Sequence, residues 1–522
     1  PSHRRTETMN ETAQAHAEQG PRQAHSEPSL TTALTAAVRN PVSHDDFDPK
    51  TALASLLADI GMDISETGGS VEFLGADPVV PSPLRLGAGA AITLAAKSAA
   101  VAKLWRLRGR GGQDISVDLR PAPHRLCPFY DQRWEKLGGY TTGMPATDDE
   151  GFGFRFYPTA DGRWMMPLNP YRNLRRTAQR LLGVPDDAEA VRAAISGWRG
   201  LELEQAGVAA GCVMPMLRSI EDLLAEPHYR DHLATMPLIE VTKIGDSAPE
   251  PLAAQVTQPL TGIRALGMGH VIAGAGAGRA LALHGADVLN IWRPGEEENP
   301  TTYATANVGV RSTLVDQRTP DGAERIRALL GEADVFYANR RPGYLEDIGL
   351  SADEASVIRP GIIYATVSLN GLSGPWAHRI GFDQSAGCLA GIMNLEGDAN
   401  RPALPTIKVV NDYITAWLLS TGIVEALARR AVDGGSYRVH VSLTRAALWL
   451  ISLGLFEKSY ATAVAGTGGA HAYLDPETFT ADTPMGRYQG VTDQVSMSQT
   501  PGYYRDVLVP QGSSRAEWLH RS

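Results

Sequence analysis

Residues 262–292 read GIRALGMGHVIAGAGAGRALALHGADVLNIW, and the succession of residue types in them sets the fold class. A short apolar run, GIRALGM, enters a Gly-rich turn. An Ala-rich helical segment, GRALALHG, follows, and a second apolar run, ADVLNIW, closes the unit. Two β-type runs around a helical one make a βαβ pattern, and strands apolar on both faces belong in a parallel sheet covered on both sides. The alternation continues through RSTLVDQ, AERIRALLGEA, DVFYAN and GIIYATVSL. Residues 258–456 are therefore expected to be a large α/β domain with a Rossmann-like, doubly wound parallel sheet.

Upstream, residues 246–257 (DSAPEPLAAQVT) read as a Pro-bearing linker. Residues 125–245 read as a smaller α+β domain. They contain FGFRFYPTADGRWMMPL, an alternating aromatic hairpin turning at Asp161-Gly162, and the helical patterns GWRGLELEQAGVAAGC and SIEDLLAEPHYRDHLA. Residues 31–124 form a loop, an Ala-rich helix and a strand, ISVDL, expected to pack on the large domain. That unit returns 324 residues later: Pro78, Pro81, Ala102, Arg106, Gly111, Val117, Leu119 and Ala122 match Pro402, Pro405, Ala426, Arg430, Gly435, Val441, Leu443 and Ala446. So long a period suggests duplication of one piece of a domain, not a solenoid. The bland alternative is two ordinary helix-strand units. Residues 1–30 are polar and read as a disordered tail, and residues 457–522 as an irregular C-terminal tail.

Of the 522 residues, 43% are hydrophobic and 20% charged, enough to bury a core. Net charge is −10, with no dense Lys/Arg run to follow a phosphate backbone, so nucleic acid is not an expected partner. Cys127, Cys212 and Cys388 are odd in number and far apart, which fits a reducing cytoplasm better than a disulfide framework. The apolar run Ala446 to Phe456 is well short of the ~20 residues a membrane helix needs, and residues 1–28 hold no apolar core of a signal peptide. A cytoplasmic protein without a membrane anchor is expected.

Several positions carry candidate chemistry. Gly274, Gly276 and Gly278 sit where a nucleotide-binding turn belongs, but without GxGxxG spacing; Arg293 ends the second strand where an acidic ribose ligand would stand. A tight strand-to-helix turn explains the glycines equally well. His228 and His232 share a helix face with no third ligand, so a solvated face is expected and no metal. Asn339, Arg340 and Arg341 follow a strand where phosphate-binding loops lie, or are plain surface arginines. In YATVSLNGLSGPWAHRIGFDQSAGCLAGI, residues 364–392, Asp383 heads an apolar helix. It reads either as a simple N-cap or as a carboxylate held by helix N-terminal amides.

Together these segments resemble the class III CoA-transferase family, which includes formyl-CoA transferase, carnitine CoA-transferase and bile-acid-inducible protein F. The matching text is residues 259–295, NVGVRSTLVDQR, ADVFYANRRPG, RPGIIYATVSLNGLSGPW and GFDQSAG. DGRWMMPL, GWRGLELEQ and SIEDLLAEPHYR resemble the C-terminal half of that family, so the chain looks permuted, with the seam between halves present twice.

The resemblance implies that Asp383 attacks an acyl-CoA thioester to give an aspartyl-acyl anhydride, and that an aspartyl-CoA thioester then passes CoA to a carboxylic acid acceptor. It implies coenzyme A contacts at Arg293, Gln317 and Arg318 near the nucleotide and at Asn339, Arg340 and Arg341 along the pantetheine and phosphates. Leu369, Asn370 and Gly371 would lie beside the thiol, His270, Ile272 and Ala273 beside the reacting carbonyl, and Gly138-Gly139 in a mobile loop. Coenzyme A is then a substrate, with no tightly bound cofactor, and a homodimer is expected. His270, Ala275, Val310 and Gly387 depart from residues usual in the family. The competing readings are an acyl-CoA racemase or isomerase on the same fold, an NADP-dependent oxidoreductase, and a catalytically inactive CoA-binding protein.

Overall fold

The computed structural model describes residues 29–142 and 150–520. The tail expected at the N-terminus lies, through residue 28, outside the described residues. The first helix, Leu30–Arg39, starts behind Ser29, whose hydroxyl accepts a hydrogen bond from the Thr32 amide.

Seven strands make the main sheet: β1 (Glu240–Gly245), β2 (Arg264–Met268), β3 (Asp287–Trp292), β4 (Arg311–Leu314), β5 (Val335–Ala338), β6 (Ile363–Ser368) and β7 (Ser436–Ser442). Their order in space is β4-β3-β2-β5-β6-β7-β1. Every neighbouring pair from β4 to β7 is parallel, and β1 joins β7 antiparallel at the edge. All four residues of β5 are buried, as a strand sandwiched between helical layers requires. The chain winds outward from β2 to one side and then from β5 to the other. The loops after β2 and β5 consequently diverge over a crevice at the carboxyl ends of the strands, where open α/β sheets bind their ligands.

Four helices position the site: α1 (Leu86–Leu107), α2 (Ala275–Leu283), α3 (Asp383–Ala390) and α4 (Asp412–Asp433). α1 and α4, each 22 residues long, pack against one another in the main core. They are the helices of the two repeat copies. After α1 the strand Ile115–Asp118 pairs in parallel with Val71–Leu74 and antiparallel with Val495–Met497, forming a separate three-stranded sheet.

Three expectations need correction. The span 125–245 does not stay together: β1 belongs to the main sheet, and Lys136–Leu137 pairs with the hairpin Thr478–Thr483/Gly486–Val491. The smaller core is that of Phe152, Tyr157, Met165, Leu203 and Met214. Residues 457–522 are not irregular, because besides that hairpin and Val495–Met497 they bring Ser513 beside Thr313 on the outer edge of β4. Trp518 packs there with Leu329 and Leu330. An otherwise open sheet edge is thereby covered. His228 is buried rather than solvated: its Nε2 donates to the Asn370 carbonyl at 2.9 Å and its Nδ1 accepts from the Trp376 amide at 3.2 Å. Among the described residues no helix is long and apolar enough to cross a membrane, and no group of three or more metal-ligating side chains gathers.

Candidate active site

Asp383 is the first residue of α3, yet its carboxylate does not cap its own helix; the Phe382 amide is taken instead by the Ser385 hydroxyl at 3.0 Å. Asp383 reaches across to the start of α4. Its Oδ2 accepts from the Asn411 amide at 2.6 Å and the Asp412 amide at 2.8 Å. Both hydrogen bonds end on Oδ2. The side chain is 3% exposed. Burial pushes its pKa up to about 6, while the amides of Asn411, Asp412 and Val410 pull it down, so it is largely ionised at neutral pH. The adjacent Asp412 carboxyl is held well above its usual range by burial and by the Asp383 charge. Buried Cys127 lies close enough to feel Asp383; burial first, and that charge second, keep its thiol neutral.

The loop after β2 is shaped by three partners. Val271 adopts φ 53°, a left-handed conformation that a β-branched residue enters only at a cost of about 1–3 kcal/mol. Its amide donates to Glu298 Oε2 at 2.8 Å. The Glu298 side chain is itself buried, and its Oε1 accepts from the Tyr171 hydroxyl at 2.5 Å and the Asn299 amide at 2.8 Å. Tyr171, supplied by the smaller unit, also stacks on Phe382 at 5.9 Å. Asn339 clamps the same loop through two hydrogen bonds, accepting from the His270 amide at 2.8 Å and donating to the His270 carbonyl at 3.0 Å.

The parallel β2–β5 pair puts the loop of His270, Ile272 and Ala273 beside that of Asn339, Arg340 and Arg341, with Ile272 and Ala273 themselves buried. Arg340 is not free. It pairs with Glu296, which also faces His270 Nε2 at 3.0 Å and accepts from the Arg293 amide at 2.9 Å. The Arg340 guanidinium and the His270 ring hold the Glu296 carboxyl well below its usual range despite its burial.

A cleft of about 220 Å³ opens between the two units. Arg341, Leu369, His378, Arg379, Ser385 and Leu389 line it on one side, and Val208, Cys212 and Met214 on the other. Arg341 is exposed and makes no ion pair among the described residues. Arg379 shares the Glu204 carboxylate with buried Arg218. Of the sequence candidates, Arg341 and Leu369 reach this cleft, while Gln317 and Arg318 lie outside its lining and bond to Tyr344 and Asp316. Asn370 is fully buried: its Oδ1 accepts from the Thr444 hydroxyl at 2.7 Å. Gly371, at φ 96°, could not carry a Cβ without meeting Met236. The glycines after β2 leave no cradle for a pyrophosphate. The space a Cβ would take at Gly274 and Gly278 is filled by Asn339 and Tyr337, which favours the tight-turn reading over the dinucleotide one.

Sequence reasoning did not single out Asp412, Tyr171, Glu298 or Glu296. Each has a partner distant in sequence, and only the Asn411-Asp412 pair carried a signal, its place at the start of the second repeat helix.

Residues 260–485 match the family model of CoA-transferase family III. The chain is 32% identical over 209 residues to the acetyl-coenzyme A transferase nodX of Hypoxylon pulicicidum, covering 38% of this chain and 35% of that protein. It is 29% identical over 203 residues to the succinate–glutarate CoA-transferase of Agrobacterium fabrum, covering 35% of this chain and 51% of that one. The chain therefore spans about a third to a half of the length of these curated relatives. Among solved structures, a CAIB/BAIF family protein from Brucella suis shares 28% identity with a TM-score of 0.35, covering 44% of this chain and 65% of that one.

Proposed function

We propose that this protein is a CoA-transferase that moves CoA from an acyl-CoA to a free carboxylic acid, with Asp383 as the covalent nucleophile. The observation that carries the reading is the Asp383 carboxylate itself. It is buried and ionisable near neutral pH, with Oδ2 held by the Asn411 and Asp412 amides at the start of α4. Oδ1 attacks the thioester carbonyl, the C–S bond breaks, and CoA leaves as a thiolate, giving an aspartyl-acyl anhydride. The thiolate then attacks the aspartyl carbonyl carbon. The donor acid departs as a carboxylate, leaving an aspartyl-CoA thioester. The acceptor carboxylate attacks that thioester, re-forming an anhydride and thiolate, and attack of the thiolate on the acceptor's acyl carbon releases the new acyl-CoA and free Asp383.

In this reading the amides have a second task. When the thiolate attacks the aspartyl carbonyl, negative charge develops on Oδ2, the atom already facing the Asn411 and Asp412 amides. The start of α4 thus supports both the resting carboxylate and the tetrahedral oxyanion. Arg341, the unpaired cation of the cleft, is available to the phosphates or carboxylate of a substrate. Acyl-CoA and a free acid are the partners in this reading, and coenzyme A is a substrate rather than a resident cofactor.

The test is mass spectrometry of the protein after incubation with a panel of acyl-CoAs and hydroxylamine. A hydroxamate on Asp383 in the wild type, absent from Asp383→Ala, is the expected result. Coenzyme A binding without modification or acyl exchange for any donor would overturn the reading.

A further inference from the structure

The two repeat copies supply an internal comparison. At the start of α1, Asp77 Oδ1 accepts from the Gly87 amide at 3.0 Å and Oδ2 from the Ala88 amide at 2.6 Å. Gly87 and Ala88 lie 324 residues before Asn411 and Asp412, the residues whose amides hold Asp383. Both helices therefore begin with a buried aspartate on the same two amides. At the second amide position the first copy has Ala88 and the second has Asp412. Capping does not require a carboxyl there, since α1 is capped without one. Asp412 is 4% exposed and its carboxyl makes no hydrogen bond or ion pair among the described residues.

We infer that Asp412 is a positioning residue of the reacting site, a neutral acid that holds its resting pair with Asp383 to a single negative charge. The inference rests on the reading of Asp383 as the acylated group. While Asp383 is a carboxylate, a second charge on Asp412 in the same buried space is unfavourable, and Asp412 keeps its proton. When Asp383 becomes an anhydride or thioester its charge has left with the thiolate or the released acid, and the constraint on Asp412 relaxes. The other groups around the pair do not neutralise it. Cys127 and Tyr171 are held protonated by burial. Arg125 sits over the Tyr413 ring at 4.0 Å but pairs with Asp493, as does Lys97 on α1. On α2, Arg279 donates to the Thr305 and Val491 carbonyls and to the Tyr504 hydroxyl. On the approaching loop, Lys408 is exposed to solvent.

Two measurements on the full chain test this. Infrared difference spectra of aspartate-labelled protein at about pH 8 should show a protonated carboxyl band that Asp412→Asn removes and that Asp383→Asn retains, shifted to lower pH in its titration. The pH profile of Asp383 acylation in the wild type should fall on the alkaline side by about tenfold per unit as Asp412 loses its proton. In Asp412→Asn that limb should be flat while the acidic limb stays in place, a change that loss of a merely structural side chain would not produce. Absence of an Asp412-dependent band, or coincident profiles, would overturn the inference. Should Asp412→Asn fail to fold, the titration shift in Asp383→Asn decides alone, no shift counting against. Failure of acylation with every donor would sink the transferase reading and leave the infrared result standing.

Discussion

Asp77 and Asp383 occupy equivalent places at the heads of two packed, repeated helices, but Asp77 uses both carboxylate oxygens on the helix amides whereas Asp383 uses only Oδ2. One is a closed cap, and the other is the residue proposed above as the nucleophile. A Cβ at Gly87 would lie 2.7 Å from Asp77 Oδ1, so the first copy also lacks the space that Asn411 occupies in the second.

This difference sorts two otherwise identical substitutions. In Asp77→Asn one amide meets an NH2 group instead of an acceptor, and stability should drop by about 1–3 kcal/mol. In Asp383→Asn the single carbonyl oxygen still accepts both amides, and the fold should hold while acylation is abolished. Thermal melts beside acyl-exchange assays would show the two effects separated, and equal destabilisation by both would contradict the assignment.

The pH dependence of stability follows from the raised Asp383 pKa. A carboxyl that titrates at about 6 in the folded chain and near 3.8 in the unfolded one favours folding below pH 3.8. That contribution is lost as pH rises through about 6, because the unfolded state ionises first. Asp383→Asn should therefore melt near the wild-type temperature at about pH 4 and above it beyond about pH 6.5, measured by calorimetry across that range.

Tyr171→Phe keeps the stack on Phe382 but removes the hydroxyl from Glu298, the acceptor that holds Val271 in its left-handed conformation. The acylation rate should fall by on the order of tenfold, because one hydrogen bond to a carboxylate is worth about 1.5–3 kcal/mol, and stability should fall by no more than that, since the Thr302 hydroxyl and the Asn299 amide stay on Glu298 Oε1. Stopped-flow release of CoA thiol would measure it.

Arg340 and Arg341 are adjacent in sequence but should fail differently. Arg341→Ala removes an unpaired cation from the cleft and should raise KM for acyl-CoA by about tenfold with kcat nearly unchanged, an effect that shrinks with added salt. Arg340→Ala leaves partly buried Glu296 with only the His270 ring and the Arg293 amide and should lower stability as well as activity.

Asp493 comes from the segment after the Thr478–Thr483/Gly486–Val491 hairpin and pairs with buried Lys97 and Arg125. Its carboxyl is held well below its usual range by these cations. Asp493→Asn leaves the two cations without their shared anion and should cost about 3–5 kcal/mol, read from denaturant unfolding.

The sequence by itself determined the layering. The apolar runs at 264–268, 287–292, 335–338 and 363–368 read as buried strands of a parallel sheet, because residues apolar on both faces need cover on both. The repeat announced two equivalent helices, and the resemblance pointed to Asp383 at a helix head. Tertiary structure decided what that carboxylate touches. The amides that hold it belong to α4, 28 and 29 residues further along the chain, and the acid beside it is Asp412. Likewise Tyr171 meets Glu298, and Asp493 meets Lys97, across 127 and 396 residues. Periodicity reports which face of a segment is buried; it carries no record of which distant segment does the burying, and a nucleophile is distinguished from a cap by that neighbour.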